Sequence, residues 1–304
     1  MIKLPSILKS GDKVRFLSPA SFPEKEAILY RSEVLKNWGL EVDFGQHAFD
    51  THGFLAGNDE HRLSDFNEAL RDPSVRGIIA TRGGKGSYRI ADKLDFSAWQ
   101  KDPKIIVGFS DITAIHLSIF HHCAAPGIHG SLFGGMNEVI QPQSEQSFKA
   151  CLMDPQTLRI SRREHEPTAA ISTSGQAHGV LIGGNLEMIS TLAGWALPSL
   201  EGCILMLEDV EKYPGQIDRM LVQLINSGAL KGVVGVAVAQ FAFCRDTGSM
   251  NAIDILRDHL HTLEVPVLGG LPIGHGHAPV SVPHGTPARL NVDEGWLEIE
   301  PALR

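Results

Sequence analysis

Two α/β lobes facing each other across a cleft are the fold this sequence predicts. The first is built on a parallel sheet of βαβ units, and the second is a strand-rich α/β lobe. Three observations carry that expectation. Short β-branched runs alternate with helical patterns through the first half, as parallel βαβ units require. Between residues 141 and 175 Pro, Gln, Ser and charged residues displace any sustained apolar period. The 304 residues also exceed what a single core commonly fills. The expected organisation is therefore a first lobe at 1–140, a linker at 141–175 and a second lobe at 176–304, with the active site in the cleft between the lobes.

Residues 13–18 alternate as a strand, and 23–38 carry an amphipathic helical period. A strand at 40–44, a helix at 61–71, a buried strand at 77–80 and a short helix at 87–94 follow. Residues 104–108 form another buried strand, which leads into a helix reaching about residue 122. In the second half, strands are expected at 177–182, 203–207, 233–239, 265–268 and 288–292, with helices at 185–192 and 217–227. Parallel sheets hold ligands beyond the carboxyl ends of their strands, so the glycine-containing turns at 82–86 and 108–111 fall on the functional edge.

Composition narrows the partners. Hydrophobic content of 43% and charged content of 20% are those of an ordinary globular protein. A formal net charge of −8 leaves no basic stripe to neutralise phosphates, which excludes a nucleic-acid partner. No apolar run approaches the roughly 20 residues that span a bilayer, so no membrane role is expected. The N-terminus, Met1-Ile2-Lys3-Leu4-Pro5, lacks the pattern of a secretory signal. Cys123, Cys151, Cys203 and Cys244 are scattered without a CxxC pair or metal-ligand spacing. They read as buried thiols in a reducing compartment, and a cytoplasmic location is expected.

Four segments hold residues suited to chemistry. In Ile105-Ile106-Val107-Gly108-Phe109-Ser110-Asp111-Ile112-Thr113 a buried strand ends in Gly, a Ser follows on the turn, and a helix begins at once. A nucleophile elbow lifts a hydroxyl from a sheet edge in this way, and the next backbone N–H can help hold an oxyanion. Ile112 stands where the second Gly of GxSxG would be, and the local alternative is that Ser110 or Asp111 only caps the helix. Thr81-Arg82-Gly83-Gly84-Lys85-Gly86-Ser87 is a glycine turn that lets backbone N–H groups approach a ligand, or else simply a tight strand-to-helix connection. It is not a phosphate-binding P-loop: Ile79 replaces the first Gly, and Gly86 the Ser/Thr. Ile204-Leu205-Met206-Leu207-Glu208-Asp209 ends an apolar strand in two carboxylates, either an orienter for an imidazole or a solvated acidic pair. Leu271-Pro272-Ile273-Gly274-His275-Gly276-His277 is a constrained loop whose imidazole could act as a general base, or whose His-x-His pair could ligate a metal. No Cys or nearby acidic residue completes a zinc-like set there.

Taken together and in order, these segments resemble the LD-carboxypeptidase family of serine peptidases, which includes murein tetrapeptide carboxypeptidases and microcin-immunity peptidases. The resemblance runs from about Gly11 to Leu290. It is carried by Arg82-Gly83-Gly84, Gly108-Phe109-Ser110-Asp111, His129-Gly130, Gly183-Gly184-Asn185-Leu186, Leu207-Glu208-Asp209, Ile217-Asp218-Arg219-Met220-Leu221 and Gly274-His275. It implies Ser110 as nucleophile, Glu208 as acid and His275 as base, with the N–H groups of Asp111 and the Gly83-Gly84 turn as oxyanion hole. Arg82, Lys85 and His129 are the substrate-binding candidates, a cation being needed to select a free carboxyl end. The implied activity is removal of the terminal D-Ala from murein tetrapeptides in peptidoglycan recycling. Alternatives are a microcin-immunity-like amidohydrolase acting on peptidyl or aminoacyl nucleotides, or an inactive muropeptide-binding protein. No metal or organic cofactor is implied, the partner is a small peptide, and a homodimer is expected. The chain departs from the family pattern at Lys85, at Gly215-Gln216 and at Trp195, positions that bear on substrate preference and leave the triad intact.

Overall fold

A computed structural model describes residues 4–130, 141–246 and 248–304. The first sheet forms from β1 (Lys13–Leu17), β2 (Glu41–Phe44), β3 (Val75–Ala80), β4 (Ile105–Gly108) and β5 (Gly127–His129). These run parallel in the order β2-β1-β3-β4-β5. The helices α1 (Lys25–Asn37), α2 (Asp59–Arg71), α3 (Phe96–Lys101) and α4 (Thr113–Cys123) connect them. Apolar side chains cover β4 completely, as a central strand of a covered parallel sheet demands. The helix expected at 87–94 is two 3-10 turns, Ser87–Arg89 and Ala91–Lys93, and α3 follows them.

The stretch expected to be a linker between the lobes holds regular structure. It holds α5 (Pro142–Met153), β6 (Leu158–Ser161) and a 3-10 turn at Pro167–Ile171. Pro142 opens α5, where its missing N–H is no loss. Phe148, Cys151 and Leu152 stand at i, i+3 and i+4 and bury against Leu8, Val14 and Phe16 of the first lobe. So brief a period lies hidden among polar residues.

The second sheet runs β10-β9-β8-β7-β12-β13-β6. Its parallel half is β7 (Gln176–Asn185), β8 (Cys203–Val210), β9 (Gly235–Ala242) and β10 (Val267–Leu268). Here α6 (Leu186–Leu192), α7 (Pro214–Asn226) and α8 (Ala252–Leu260) pack beside it. β12 (Pro287–Asn291) and β13 (Trp296–Ile299) extend it antiparallel, and β6 pairs with β13. One strand of the second half, β11 (Val282–His284), leaves this sheet and joins β5 antiparallel in the first. The lobes therefore share backbone pairing as well as a cleft.

Candidate active site

The carboxyl ends of β3 and β4 from one lobe and of β7 and β8 from the other converge on a cavity of about 650 Å³. Ser110 lies on its wall, immediately beyond β4. Its φ is 62°, a left-handed conformation costing a non-glycine residue of order 1–3 kcal/mol unless the surroundings enforce it. That strained step between a strand and the 3-10 turn leading into α4 is what the elbow pattern predicts. His116, inside α4, donates from Nε2 to the Gly108 carbonyl at 3.0 Å and so ties the helix to the strand end below the serine.

Gly83 passes directly over this turn, and Gly84 packs against Ser21. A Cβ on Gly83 would stand 2.8 Å from Ser110 Cβ and 3.1 Å from its Oγ, so only glycine brings that backbone so close. Asp111 fastens the two segments together: its Oδ2 accepts the Ser87 N–H at 2.7 Å, and its carbonyl accepts the Ser87 hydroxyl at 2.5 Å. Burial pushes the Asp111 carboxyl up to about 6, against the hydrogen bonds from Ser87. A raised carboxyl holds its proton in the native state where the unfolded chain has lost it, so stability falls as pH rises through that interval. Asp111→Asn should remove this burden. Between pH 4 and pH 7 the variant's stability relative to wild type is expected to improve by roughly 2 kcal/mol, read from denaturant unfolding at each pH. A difference that stays flat across that range would show that Asp111 carries no such penalty.

β8 delivers the carboxylate expected to be the acid. Glu208 is fully buried and its Oε2 accepts a hydrogen bond from His275 Nδ1 at 2.6 Å. Gly274 permits the contact, since a Cβ there would meet Glu208 Oε2 at 2.7 Å. Burial opposes both charges, but the mutual attraction and hydrogen bond outweigh it. They hold Glu208 below the usual carboxylate range and His275 above the usual imidazole value. The imidazole opens onto the cavity that Ser110 lines, with the Phe109 ring 4.8 Å away. Among the described residues no hydrogen bond joins Ser110 to His275, a separation common before substrate tightens such a site. His277 is exposed while His275 is buried, so the His-x-His pair does not converge on one point.

Asp209, the neighbouring carboxylate, faces other partners. It accepts from Asn185 Nδ2 at 3.0 Å, from the Glu187 N–H at 3.1 Å, and pairs with Lys212 Nζ at 3.3 Å. Lys212 in turn pairs with Glu187 at 3.0 Å, and Lys85 reaches the same carboxylate at 3.7 Å. Arg82 is exposed on the cavity wall and donates to the Phe22 carbonyl at 3.3 Å. Arg31 stands beside it, bonded to the Thr81 carbonyl at 2.8 Å. Burial and the Arg82 charge pull its guanidinium down to about 10. Sequence reasoning missed Arg31, Asn185, Glu187 and Lys212. Only Asn185 lay in a segment singled out, and Lys212, four residues past Glu208, carried no pattern of its own. His129, expected among the substrate-binding residues, is wholly buried edge-on to Phe109 and is not among the residues that line the cavity.

With this geometry in view, the matches to known proteins are decisive. Residues 14–130 match the LD-carboxypeptidase N-terminal domain, and residues 178–290 match the C-terminal domain of the same family. The chain belongs to the LD-carboxypeptidase family. It is 33% identical over 306 residues to a probable murein peptide carboxypeptidase of Bacillus subtilis, covering 98% of this chain and 95% of that one. It is 30% identical over 286 residues to the murein tetrapeptide carboxypeptidase of Pseudomonas aeruginosa, covering 91% and 92%. The crystal structure of muramoyltetrapeptide carboxypeptidase from Oxalobacter formigenes superposes with a TM-score of 0.84 at 27% identity, over 96% of this chain and 100% of that one. A microcin C7 self-immunity protein shares the fold, with a TM-score of 0.87 at 24% identity over 99% and 100%. This LD-carboxypeptidase relative is accordingly a peptidase hydrolase with the family's two-sheet α/β architecture. None of its described helices is long and apolar enough to cross a membrane.

Proposed function

We propose that the chain is a serine LD-carboxypeptidase that releases the terminal D-Ala from murein tetrapeptides in peptidoglycan recycling. The observation that carries the reading is the buried Glu208–His275 hydrogen bond, opening onto the same cavity as a Ser110 held in a strained turn. Glu208 fixes His275 with its Nδ1 protonated, so Nε2 is free to take the Ser110 proton. Ser110 then attacks the carbonyl that joins an L-centred residue to the terminal D-residue. The N–H groups of Asp111 and the Gly83-Gly84 turn hold the resulting oxyanion. The imidazolium returns its proton to the leaving amine, and water releases the acyl-enzyme. Arg82, with Arg31 behind it, offers the positive wall that selects a free carboxylate.

Mass spectrometry of products from a muropeptide panel tests the substrate. A free murein tetrapeptide should lose its terminal D-Ala, while a peptide ending in D-Ala–D-Ala should remain uncut. Cleavage confined to nucleotide-linked peptides would instead establish the amidohydrolase reading. A chain that binds the tetrapeptide without turnover, and whose Ser110 resists a fluorophosphonate, would be the inactive binder.

A further inference from the structure

Away from the cavity, the loop after β2 meets the first turn of α2 at two imidazoles and a carboxylate. Asp50 Oδ2 accepts from His47 Nδ1 at 2.7 Å and from His61 Nδ1 at 3.1 Å. One ligand atom from each of the three residues lies within 4.8 Å of the other two. We propose that His47, Asp50 and His61 form a binding site for a divalent transition metal, Zn²⁺ foremost, separate from the reaction centre.

The donor set selects the ion. Two imidazoles and one carboxylate suit borderline first-row metals, whereas Ca²⁺ and Mg²⁺ prefer shells of oxygen. The spacing agrees. Ligands about 2.0–2.1 Å from a common ion stand roughly 3.0–3.4 Å from each other, so the two observed edges are already near coordination length. Both histidine backbones are anchored from outside the cluster. The His47 N–H is held by the buried Asp65 carboxylate at 2.9 Å, and the His61 N–H by the helix-capping Asn58 at 2.8 Å. Gly57 packs between the two arms, and a Cβ there would lie 3.3 Å from Asp50 Cβ and 3.4 Å from His61 Cβ. The two rings now stack at 3.9 Å, so one must turn to share an ion. His61, 41% exposed, has the room, and that exposure also leaves positions for water. None of the three residues lines the cavity. The loop they would pin does press on the end of the glycine turn: Leu55 Cδ2 lies 2.4 Å from where a Cβ on Gly86 would be.

The test is calorimetric titration of metal-free full-length protein with ZnCl₂, with Co²⁺ as an optical probe of histidine ligation. One equivalent should bind, with visible Co²⁺ absorption, and the melting temperature should rise with added Zn²⁺. His61→Gln and Asp50→Asn should each weaken binding at least tenfold and abolish the Co²⁺ spectrum. Peptidase activity of both variants serves as the check on folding, because neither residue belongs to the catalytic machinery. If wild type takes up no Zn²⁺, or both folded variants still bind one equivalent with unchanged affinity, the assignment is wrong.

Discussion

Ser110→Ala should reduce kcat by about 10⁶, the loss seen when a nucleophile is removed from a cooperating triad, while leaving the fold intact. Alanine occupies the same left-handed turn as serine and fills the same space against Gly83, so far-UV circular dichroism and melting should barely change. A strong chelator should leave wild-type turnover untouched, because neither Ser110 nor His275 needs a metal to form a serine nucleophile and its base. A zinc ion at His47, Asp50 and His61 could be stripped under those conditions without loss of rate. Activity abolished by chelator and restored by zinc would overturn the serine mechanism.

The second large effect separates two adjacent carboxylates. Glu208→Gln keeps the shape but can present an amide donor to His275 and favour the wrong tautomer. By analogy with the Ser-His-Asp triad, up to ~10⁴ in kcat is expected to disappear with substrate binding little altered. The pH profile should move as well. Glu208 holds His275 above the ordinary imidazole value, and a base must be neutral to act, so the acid limb of wild-type kcat/KM should lie above pH 6.5. Removing the carboxylate removes that support, and the limb of the residual activity should shift to lower pH. Asp209→Asn should behave differently, with a far smaller loss in kcat and a rise in KM. Its carboxylate positions Asn185 and Lys212 along the cavity, whereas the hydrogen bond to His275 Nδ1 comes from Glu208. A large kcat loss at Asp209 beside a near-normal Glu208→Gln would assign the acid to the wrong residue.

The turn that carries Ser110 and the constrained loop that carries His275 were legible because each sits where local rules are strict. A buried strand that stops at Gly108 and gives way two residues later to a 3-10 turn leading into α4 leaves Ser110 little choice of place. The pair at the end of β8 was legible as two carboxylates, but a break in the β8–β9 register there means that folding, not simple alternation, turns Glu208 to His275 and Asp209 to Lys212. The short strands β5 and β11 were not legible, since three residues carry no period. Nor was the depth of His129: a histidine beside a glycine reads alike whether it faces a cleft or lies sealed behind a phenylalanine. The ionic wall of Lys85, Glu187 and Lys212 comes from three distant segments, and only folding brings them within 4 Å.

The excursion of β11 into the first sheet also sets an order of events during synthesis. While the ribosome is still translating the second half, β5 is a bare edge strand, its outer N–H and C=O groups unpaired. Its partner, residues 282–284, emerges more than 150 residues later, a delay of roughly 10–30 s at ordinary elongation rates. Through that interval the nascent first lobe is exposed to mispairing with other chains, and a polypeptide cut near residue 130 would carry the exposed edge permanently. Closure of the sheet comes almost at the end of the chain. His275 lies only seven residues ahead of β11, so this imidazole and the closing strand leave the exit tunnel nearly together.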